Sequence, residues 1–293
     1  MAKAKIFTGS GVAIITPFTE TGINYEKLGE LIDFQIEQGT DAIVVCGTTG
    51  EASTMPDSEH LEAIKYTVEK VNKRVPVIAG TGSNDTKHAV GLSQEAQESG
   101  ADAILSVTPY YNKTTQRGLC EHFRVIAESV DIPVILYNVP SRTNLNIDPA
   151  TVEKLARIKN INALKECNLM QVPEILKRCG EDINIYSGED GQVYFYLALG
   201  GLGVISVMAN IAPKYTHDMV MKYHTGDIKG SLRMQISCLD LIKALFCEVS
   251  PIPVKEAMNI MGMEVGECRL PLYKMAESNI ELLKKELTAF GCI

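Results

Sequence analysis

The chain has 293 residues, of which 45% are hydrophobic and 22% are charged, as in a globular protein with a sizeable core. Its 28 Lys and Arg residues against 36 Asp and Glu give a net charge of −8, which excludes the basic surface that nucleic acids or anionic membranes require. No run approaches the roughly 20 apolar residues of a membrane span, and Thr and Gly interrupt the N-terminal run where a signal peptide would be apolar. We therefore expect a cytoplasmic protein whose eight dispersed cysteines are reduced.

Short apolar runs rich in Val and Ile recur along the chain and predict eight strands. Each run is apolar on both faces, as parallel strands are when they lie between a barrel interior and an outer layer of helices. The predicted strands cover residues 11–18, 42–47, 76–82, 103–111, 133–140, 161–166, 183–190 and 203–210.

Amphipathic segments with helical start and end signals separate the predicted strands. In the first segment Asn24 is a suitable N-cap and Gly39 follows the end, and Gly100 closes the third segment in the same way. Eight alternations of strand and helix predict an α/β fold, a closed (β/α)8 TIM barrel. An open doubly wound sheet is the structural alternative.

The strand-like runs stop after the eighth unit, at about residue 226. Residues 1–225 are therefore predicted to form the catalytic barrel, and residues 226–293 a C-terminal helical extension. No Gly, Ser or Pro linker separates the two parts, so we expect the extension to pack on the barrel. Its expected role is to cover apolar surface or to build an oligomer interface.

Polar residues follow several of the predicted strands, where the active sites of such barrels lie. These segments are residues 47–51, 108–112, 137–143, 165–166 and 187–190. Lys165 is the most informative residue among them, because it interrupts an apolar strand in which a buried ammonium is costly. Burial favours the neutral amine, which attacks carbonyl carbons to form imines. The alternatives are a lysine that extends to solvent from the strand end, or one paired with Glu166.

The neighbours of Lys165 favour imine chemistry, although each also has a structural interpretation. Tyr137 ends the preceding strand and is a suitable proton donor, or else a core tyrosine. Thr48 and Thr49 lie between glycines, where their hydroxyl and amide groups can hold a carboxylate, or where they form only a tight turn. Arg142 can bind a second carboxylate or make a surface ion pair.

Several other chemistries lack their sequence signals. There is no nucleotide-binding glycine motif, no metal-binding spacing among the five histidines and no GxSxG nucleophile turn. Glu189 and Asp190 follow the seventh strand, where barrels often bind phosphate, and their charges would repel it. Imine chemistry that needs neither a metal nor a further cofactor remains.

These segments resemble the dihydrodipicolinate synthase family of pyruvate-dependent class I aldolase-like lyases, which is related to N-acetylneuraminate lyase. The resemblance runs from about Phe7 to the C-terminus. The matching motifs are GTTGE (47–51), IAGTGSN (78–84), TPYYN (108–112), YNVPSRT (137–143), ALKE (163–166), GVISV (203–207), PIPVKEAM (251–258) and RLPL (269–272). The tyrosine and the lysine alone indicate only the superfamily, whereas the motifs together are specific.

The resemblance implies that Lys165 forms an imine with pyruvate, whose enamine attacks the aldehyde of L-aspartate 4-semialdehyde. The substrate amine then closes the ring and displaces Lys165, which gives 4-hydroxy-tetrahydrodipicolinate for lysine and diaminopimelate biosynthesis. The residues that the resemblance assigns to catalysis are Lys165, Tyr137, Thr48 and Tyr111. Those that it assigns to substrate binding are Thr48 and Thr49 for the pyruvate carboxylate, Arg142 for that of the semialdehyde, and Gly188 and Ile205, the last through its backbone carbonyl.

The resemblance also implies a homotetramer, built as a dimer of tight dimers in which the neighbouring subunit contributes Tyr111. Family members that lysine inhibits bind it at the tight-dimer interface. The corresponding positions here are Ala52, Ser53, Asp57, His60, Asn84, His88 and Tyr110. Asp57 replaces a histidine and His88 replaces a glutamate, which removes a charge-assisted contact worth roughly 1.5–3 kcal/mol. We expect lysine to inhibit this protein weakly or not at all.

Three other functions compete with the one that the resemblance implies. A sialic acid lyase or a sugar-acid aldolase on the same barrel would need loops that bind a polyol, and Arg142 with the paired Tyr110 and Tyr111 argues against them. A non-catalytic barrel relative would be expected to lose Lys165 or Tyr137, and both are present. A structural role for the C-terminal extension would appear as a stable monomer with an exposed apolar patch.

Overall fold

The computed structural model describes residues 2–293. Eight parallel strands form a closed barrel, in which each pairs with the next along the chain and the last pairs with the first. The strands, including a two-stranded hairpin outside the barrel, are β1 (Gly9–Ala13), β2 (Phe18–Thr19), β3 (Gly22–Ile23), β4 (Ala42–Val45), β5 (Val77–Gly80), β6 (Ala103–Val107), β7 (Val134–Asn138), β8 (Ile161–Glu166), β9 (Asn184–Ser187) and β10 (Gly203–Ser206). The predicted TIM barrel is confirmed, and the pairing of β10 with β1 excludes the open sheet.

Helices surround the barrel and continue beyond it. They are α1 (Tyr25–Glu37), α2 (Asp57–Val71), α3 (Thr86–Glu98), α4 (Gln116–Glu128), α5 (Pro140–Thr143), α6 (Pro149–Ala156), α7 (Val172–Cys179), α8 (Val193–Ala198), α9 (Pro213–His224), α10 (Ile228–Ser237), α11 (Leu239–Leu245), α12 (Ile252–Ile260) and α13 (Glu277–Phe290). Within the described residues, none has the length and apolar composition of a membrane span.

The predicted helix signals act as expected. The side chain of Asn24 accepts a hydrogen bond from the backbone N–H of Lys27 at 3.0 Å, which caps α1. Gly39 and Gly100 follow helix ends with φ of +88° and +91°, a conformation that glycine adopts without steric cost.

The strand predictions extend too far at several C-terminal ends. The first predicted strand, 11–18, corresponds to β1 at Gly9–Ala13, and residues Met208–Asn210 of the last one form a 3-10 turn after β10. Ile14, Ile15 and Met208 are nonetheless fully buried. An apolar run indicates that residues are buried, not that they pair with a neighbouring strand. The loops at this end of the barrel are buried as the strands are.

The core has two layers because alternate residues of each strand point to opposite sides of the barrel wall. The outer layer fills the space between strands and helices. The inner layer fills the barrel with side chains such as Val44, Leu105, Ile135 and Tyr137. Phe7 and Tyr186 stack at a ring distance of 4.3 Å, and the Tyr186 hydroxyl donates to the carbonyl of Phe7 at 2.7 Å. Both rings are buried in the inner layer.

A buried ion pair joins the segment after α11 to the loop after β4. Lys255 of α12 donates from Nζ to Oε1 of Glu51 at 2.8 Å and to the carbonyl of Glu267 at 2.9 Å. The second oxygen of Glu51 accepts from the backbone N–H of Arg269 at 2.9 Å. Helix α10 also packs on α9, so contacts continue across the predicted boundary at residues 225 and 226. The division at that boundary stays a proposal.

Candidate active site

A cavity of about 380 Å³ opens at the C-terminal ends of the barrel strands. The barrel residues that line it include Ala13, Val44, Gly47, Thr48, Thr49, Leu105, Tyr137, Val139, Ser141, Arg142, Lys165, Gly188, Glu189 and Val207. Residues after the barrel complete its wall, namely Phe246, Glu248, Val249 and Ser250. The extension therefore takes part in the site, which the sequence did not predict.

Lys165 reaches the interior of the barrel because of its place in β8. It is opposite Tyr137 in the register of β7 and β8 and points to the same side as Ala163, two residues earlier. Only 6% of Lys165 is exposed, and its Nζ lies 4.2 Å from the centre of the Tyr137 ring. Burial lowers the pKa of Lys165 below its ordinary value, which favours the neutral amine.

The two alternatives for Lys165 do not fit this geometry. A side chain that is 6% exposed does not extend to solvent. Glu166 points to the other side of the strand, where its carboxylate accepts hydrogen bonds from Asn138 at 2.8 Å, Gln171 at 2.7 Å and the backbone N–H of Asn168 at 2.7 Å. Burial raises the pKa of Glu166 to about 7. Lys165 is thus a buried amine whose neighbouring carboxylate faces away.

Tyr137 is an aromatic neighbour of that amine. It lies at the end of β7, lines the cavity and is only 7% exposed. Burial raises its pKa well above the ordinary value, so the phenol holds its proton near neutral pH. A phenol in that state is able to donate a proton to a group on Lys165.

Thr48 and Thr49 both line the cavity, as predicted for this turn. Thr49 is buried, whereas Thr48 is more exposed. The turn is closed by a hydrogen bond of 3.1 Å from the backbone N–H of Glu51 to the carbonyl of Thr48. Glu51 adopts a φ of +58°, uncommon for a residue with a side chain, and its ion pair with Lys255 holds it there.

Arg142 lies in the short helix α5, on the exposed side of the cavity. Its Nη2 donates to the carbonyl of Ser250 at 3.1 Å. This contact leaves the other guanidinium N–H groups available for an anion and orients the planar fork. The extension thereby positions the guanidinium.

Gly188 lines the cavity, and its lack of a side chain is required there. A Cβ at this position would lie 2.4 Å from the Cys167 sulfur, closer than atoms approach without a shift. Ile205 is buried in the interior cluster that also contains Tyr137, but its side chain is not part of the cavity wall. The role of its carbonyl stays a prediction.

Tyr111 does not reach the cavity of its own chain. Its side chain is 92% exposed and is not part of the cavity wall, and its φ of +68° is uncommon for a residue with a side chain. The structure therefore gathers the predicted residues Lys165, Tyr137, Thr48, Thr49, Arg142 and Gly188 around one cavity. The contribution of Tyr111 to a neighbouring subunit stays a prediction.

The loop after β9 holds two carboxylates with different environments. Asp190 is buried and accepts hydrogen bonds from the Ser206 hydroxyl at 2.5 Å and from the backbone N–H groups of Val207 and Met208 at 3.0 Å. It therefore fixes the turn after β10. Glu189 lines the cavity, as predicted for the segment 187–190, although the only effect predicted for its charge was to repel phosphate.

A second cavity of about 550 Å³ adjoins the first and shares Thr48, Tyr137 and Arg142 with it. Of the positions that resemble a lysine site, six line it, namely Ala52, Ser53, Asp57, His60, His88 and Tyr110. His88 Nε2 lies 3.0 Å from Asp57 Oδ1. The two residues that depart from the lysine-binding pattern therefore contact each other.

The family model and the relatives that match this chain agree with each other. Residues 6–290 match the model of the dihydrodipicolinate synthetase family. The 4-hydroxy-tetrahydrodipicolinate synthase of Acetivibrio thermocellus is 68% identical over 291 residues, 99% of this chain and 100% of that protein.

Solved structures agree with the sequence comparison. The dihydrodipicolinate synthase of Aquifex aeolicus has a TM-score of 0.95 at 46% identity and covers 98% of this chain and 99% of its own. The Acinetobacter baumannii enzyme, a chloride-inhibited form complexed with pyruvate, has a TM-score of 0.94 at 42% identity, with coverage of 98% and 99%.

Proposed function

The chain belongs to the dihydrodipicolinate synthetase family, and we propose that it condenses pyruvate with L-aspartate 4-semialdehyde through an imine on Lys165. It is a 4-hydroxy-tetrahydrodipicolinate synthase, as are its relatives across almost the full chain. The names of these relatives do not favour a sialic acid lyase or a sugar-acid aldolase. The eight free cysteines support a reducing, cytoplasmic compartment.

One observation carries the imine mechanism: the amine of Lys165 is buried at the cavity, 4.2 Å from the Tyr137 ring. An amine whose pKa burial has lowered is able to attack the carbonyl of a 2-oxo acid. The attack gives a carbinolamine, which loses water with a proton from Tyr137 and becomes the imine. The imine nitrogen then withdraws electrons from the methyl carbon of pyruvate, and loss of a proton gives the enamine. No further cofactor is needed, because the enzyme's own amine supplies the electron sink.

The remaining polar groups divide between the two substrates. Thr48 and Thr49 hold the pyruvate carboxylate beside Lys165, and Arg142 holds the carboxylate of the semialdehyde from the exposed side of the cavity. The enamine carbon attacks the aldehyde, and the substrate amine then attacks the imine carbon and displaces Lys165. Ile205 contributes its carbonyl to the pocket in this proposal, and Gly188 leaves room for the substrate beside Cys167.

The proton relay continues from Tyr137 through Thr48 to Tyr111 of a neighbouring subunit. The exposed side chain of Tyr111 supports this, because it is available to a second copy of the chain. The proposed assembly is a homotetramer made of two tight dimers. A solved relative that is 38% identical, with a TM-score of 0.95, is a monomeric variant, so the oligomeric state is a direct test of this proposal. Light scattering after size exclusion should give four subunits, and a monomer that retains full activity would contradict the relay.

Weak or absent inhibition by lysine also belongs to the proposal. Asp57 and His88 contact each other across the second cavity, and His88 has no carboxylate to offer an ammonium. Half-inhibition by sub-millimolar lysine in a steady-state assay would contradict this. The double variant Asp57→His with His88→Glu should gain lysine binding, by roughly tenfold or more if one charge-assisted contact is restored.

The decisive experiment traps the imine. Protein incubated with pyruvate and sodium borohydride should carry a pyruvyl-sized adduct on Lys165, located by mass spectrometry, and should consume pyruvate when the semialdehyde is present. The Lys255→Arg variant is the matched control, since it changes the other fully buried lysine and should keep the adduct. An adduct without consumption that depends on the semialdehyde would redirect the proposal to another aldehyde. A folded protein without any adduct would refute the role of Lys165.

A further inference from the structure

The carboxylates of Glu189 and Glu248 line the active-site cavity, and that of Glu248 holds the start of a helix. Glu248 accepts hydrogen bonds from the backbone N–H of Ala276 at 2.9 Å and from Asn279 at 2.7 Å, at the start of α13. Glu189 has a fixed backbone instead: its N–H donates to the Ser187 hydroxyl at 3.2 Å, and its carbonyl accepts from that hydroxyl at 2.8 Å. Its carboxylate lies at the cavity wall, where its side-chain hydrogen-bond partner is Cys167.

Charged and titratable groups face the Glu189 carboxylate from several strands and loops. They are Tyr137, Arg142, Lys165, Cys167, Asp190 and Tyr196. Burial raises the pKa of Glu189 and Asp190 adds to the effect, while Cys167, Lys165 and Arg142 act in the opposite direction. A carboxylate with a raised pKa is a stronger base than an ordinary one.

The chemistry of the second substrate leaves one group without a partner. L-Aspartate 4-semialdehyde carries a carboxylate, an aldehyde and an ammonium. Arg142 takes the carboxylate and the enamine on Lys165 takes the aldehyde. The ammonium needs an anionic partner, and its nitrogen must lose a proton before it can act as a nucleophile. Glu189 lies on the same cavity wall as both Arg142 and Lys165 and is able to do both.

We propose that Glu189 binds the ammonium of the semialdehyde and is the general base for ring closure. This inference rests on the proposed function. After the new carbon–carbon bond has formed, the Glu189 carboxylate removes one proton from the ammonium. The neutral nitrogen attacks the imine carbon and forms the ring C–N bond. A proton then moves from the ring nitrogen to Nζ of Lys165. The bond between the carbon and Nζ breaks with its electron pair on Lys165, while the lone pair of the ring nitrogen forms the ring C=N bond. The ring nitrogen then loses its remaining proton, and that proton and the one on Glu189 pass to water.

The test compares Glu189→Gln with Glu248→Gln, which keeps an oxygen that accepts from Ala276 and Asn279. Both variants should give the pyruvate adduct on Lys165 after borohydride treatment, which shows that the site is folded. In Glu189→Gln, kcat with the semialdehyde should fall by about 100-fold, at the lower end of general-base effects, with KM for pyruvate unchanged. The acid limb of the kcat profile should shift as well, because Glu189 no longer contributes to it while Lys165 still does. Glu248→Gln should retain the kcat and the acid limb.

A substrate analogue separates binding of the ammonium from a general disturbance of the site. 4-Oxobutanoate has the aldehyde and the carboxylate but no amino group. Its inhibition constant should be the same in wild type and Glu189→Gln, whereas KM for the semialdehyde should rise about tenfold in the variant. Glu189→Asp should recover part of kcat, since it restores a carboxylate.

The results distinguish a failure of the role of Glu189 from a failure of the proposed function. An unchanged kcat and acid limb in Glu189→Gln, or equal loss of the semialdehyde and the analogue, overturns the inference and leaves the synthase function intact. If Glu189→Gln does not fold, Glu189→Asp gives the decision, because a shorter carboxylate should lower kcat without changing the inhibition constant of the analogue. Failure of wild type to form the adduct overturns the proposed function itself.

Discussion

Two buried lysines of this chain lie beside aromatic rings and differ in their ion-pair partners. Lys165 is 6% exposed with its Nζ 4.2 Å from the Tyr137 ring, and Lys255 is 1% exposed with its Nζ 4.6 Å from the Phe18 ring. Lys255 has a carboxylate partner, Glu51, at 2.8 Å, and ties the extension to the loop after β4. The carboxylate next to Lys165 in sequence faces the other side of its strand. Since an ion-pair partner favours the charged form of a lysine, we expect Lys165 and not Lys255 to be the reactive amine.

The largest effect is expected from Lys165→Ala. Activity should fall by more than about 10,000-fold, because removal of a covalent nucleophile leaves only substrate binding. The borohydride adduct should disappear while the circular dichroism spectrum stays that of a folded barrel. The variant should unfold at the same or a higher denaturant concentration than wild type, since a buried amine without an ion partner is gone. A large loss of stability would show that Lys165 is structural, as Lys255 is.

Lys255→Met should lower the stability of the protein and leave the adduct on Lys165 in place. It leaves the Glu51 carboxylate buried without its ammonium, which costs about 3–5 kcal/mol in the free energy of unfolding. Urea unfolding measures the loss, and the adduct on Lys165 should persist at low temperature. The double variant Glu51→Gln with Lys255→Met is the control, and it should regain part of the stability because no charge remains buried. A double variant as unstable as Lys255→Met would assign the loss to packing instead.

Tyr137→Phe makes the ring beside Lys165 the same as the ring beside Lys255. The packing of the amine is kept and the hydroxyl is lost, so kcat should fall by about 100-fold, a typical effect of removing a proton donor. The unfolding midpoint should change little. Phe18→Tyr is the companion variant at the other lysine, with no expected effect on kcat. Equal kcat in Tyr137→Phe and wild type would remove Tyr137 from the proton relay.

The smallest effect concerns Glu166, the carboxylate that does not meet Lys165. Burial raises its pKa to about 7, above its ordinary value of 4.5, so folding favours the protonated form. Its contribution to stability is complete below the unfolded-state value and is lost as the pH rises through about 7. Between pH 6 and pH 8 wild type should lose about 1 kcal/mol that Glu166→Gln does not lose. Urea unfolding at both pH values checks this, and parallel slopes for the two proteins would contradict the raised pKa.

Much of this architecture could be predicted from local sequence patterns, because a buried barrel strand is a continuous run of apolar residues. The eight runs, the capping by Asn24 and the position of Lys165 on an inward-facing register are all local properties. The ends of the strands were harder to place, since Ile14 and Ile15 are as apolar as the strand that precedes them.

Contacts between distant segments were not predictable in this way. Glu51 and Lys255 are separated by 204 positions, and Arg142 and Ser250 by 108, so no periodicity links them. For the same reason the sequence did not reveal that the extension forms part of the cavity wall. The only effect predicted for Glu189 was that its charge repels phosphate. Its position at the cavity wall depends on the hydrogen bonds by which Ser187 fixes the turn.

The opening of the active-site cavity has a kinetic consequence. The stacked rings of Phe7 and Tyr186 are both buried in the inner layer of the barrel, and the cavity beside Lys165 opens at the other side, where Arg142 lies. In the proposed mechanism both reactants use this opening, and the semialdehyde has a reaction partner only after pyruvate has formed the enamine on Lys165. We therefore expect pyruvate to bind first and the cyclic product to leave before the next pyruvate enters.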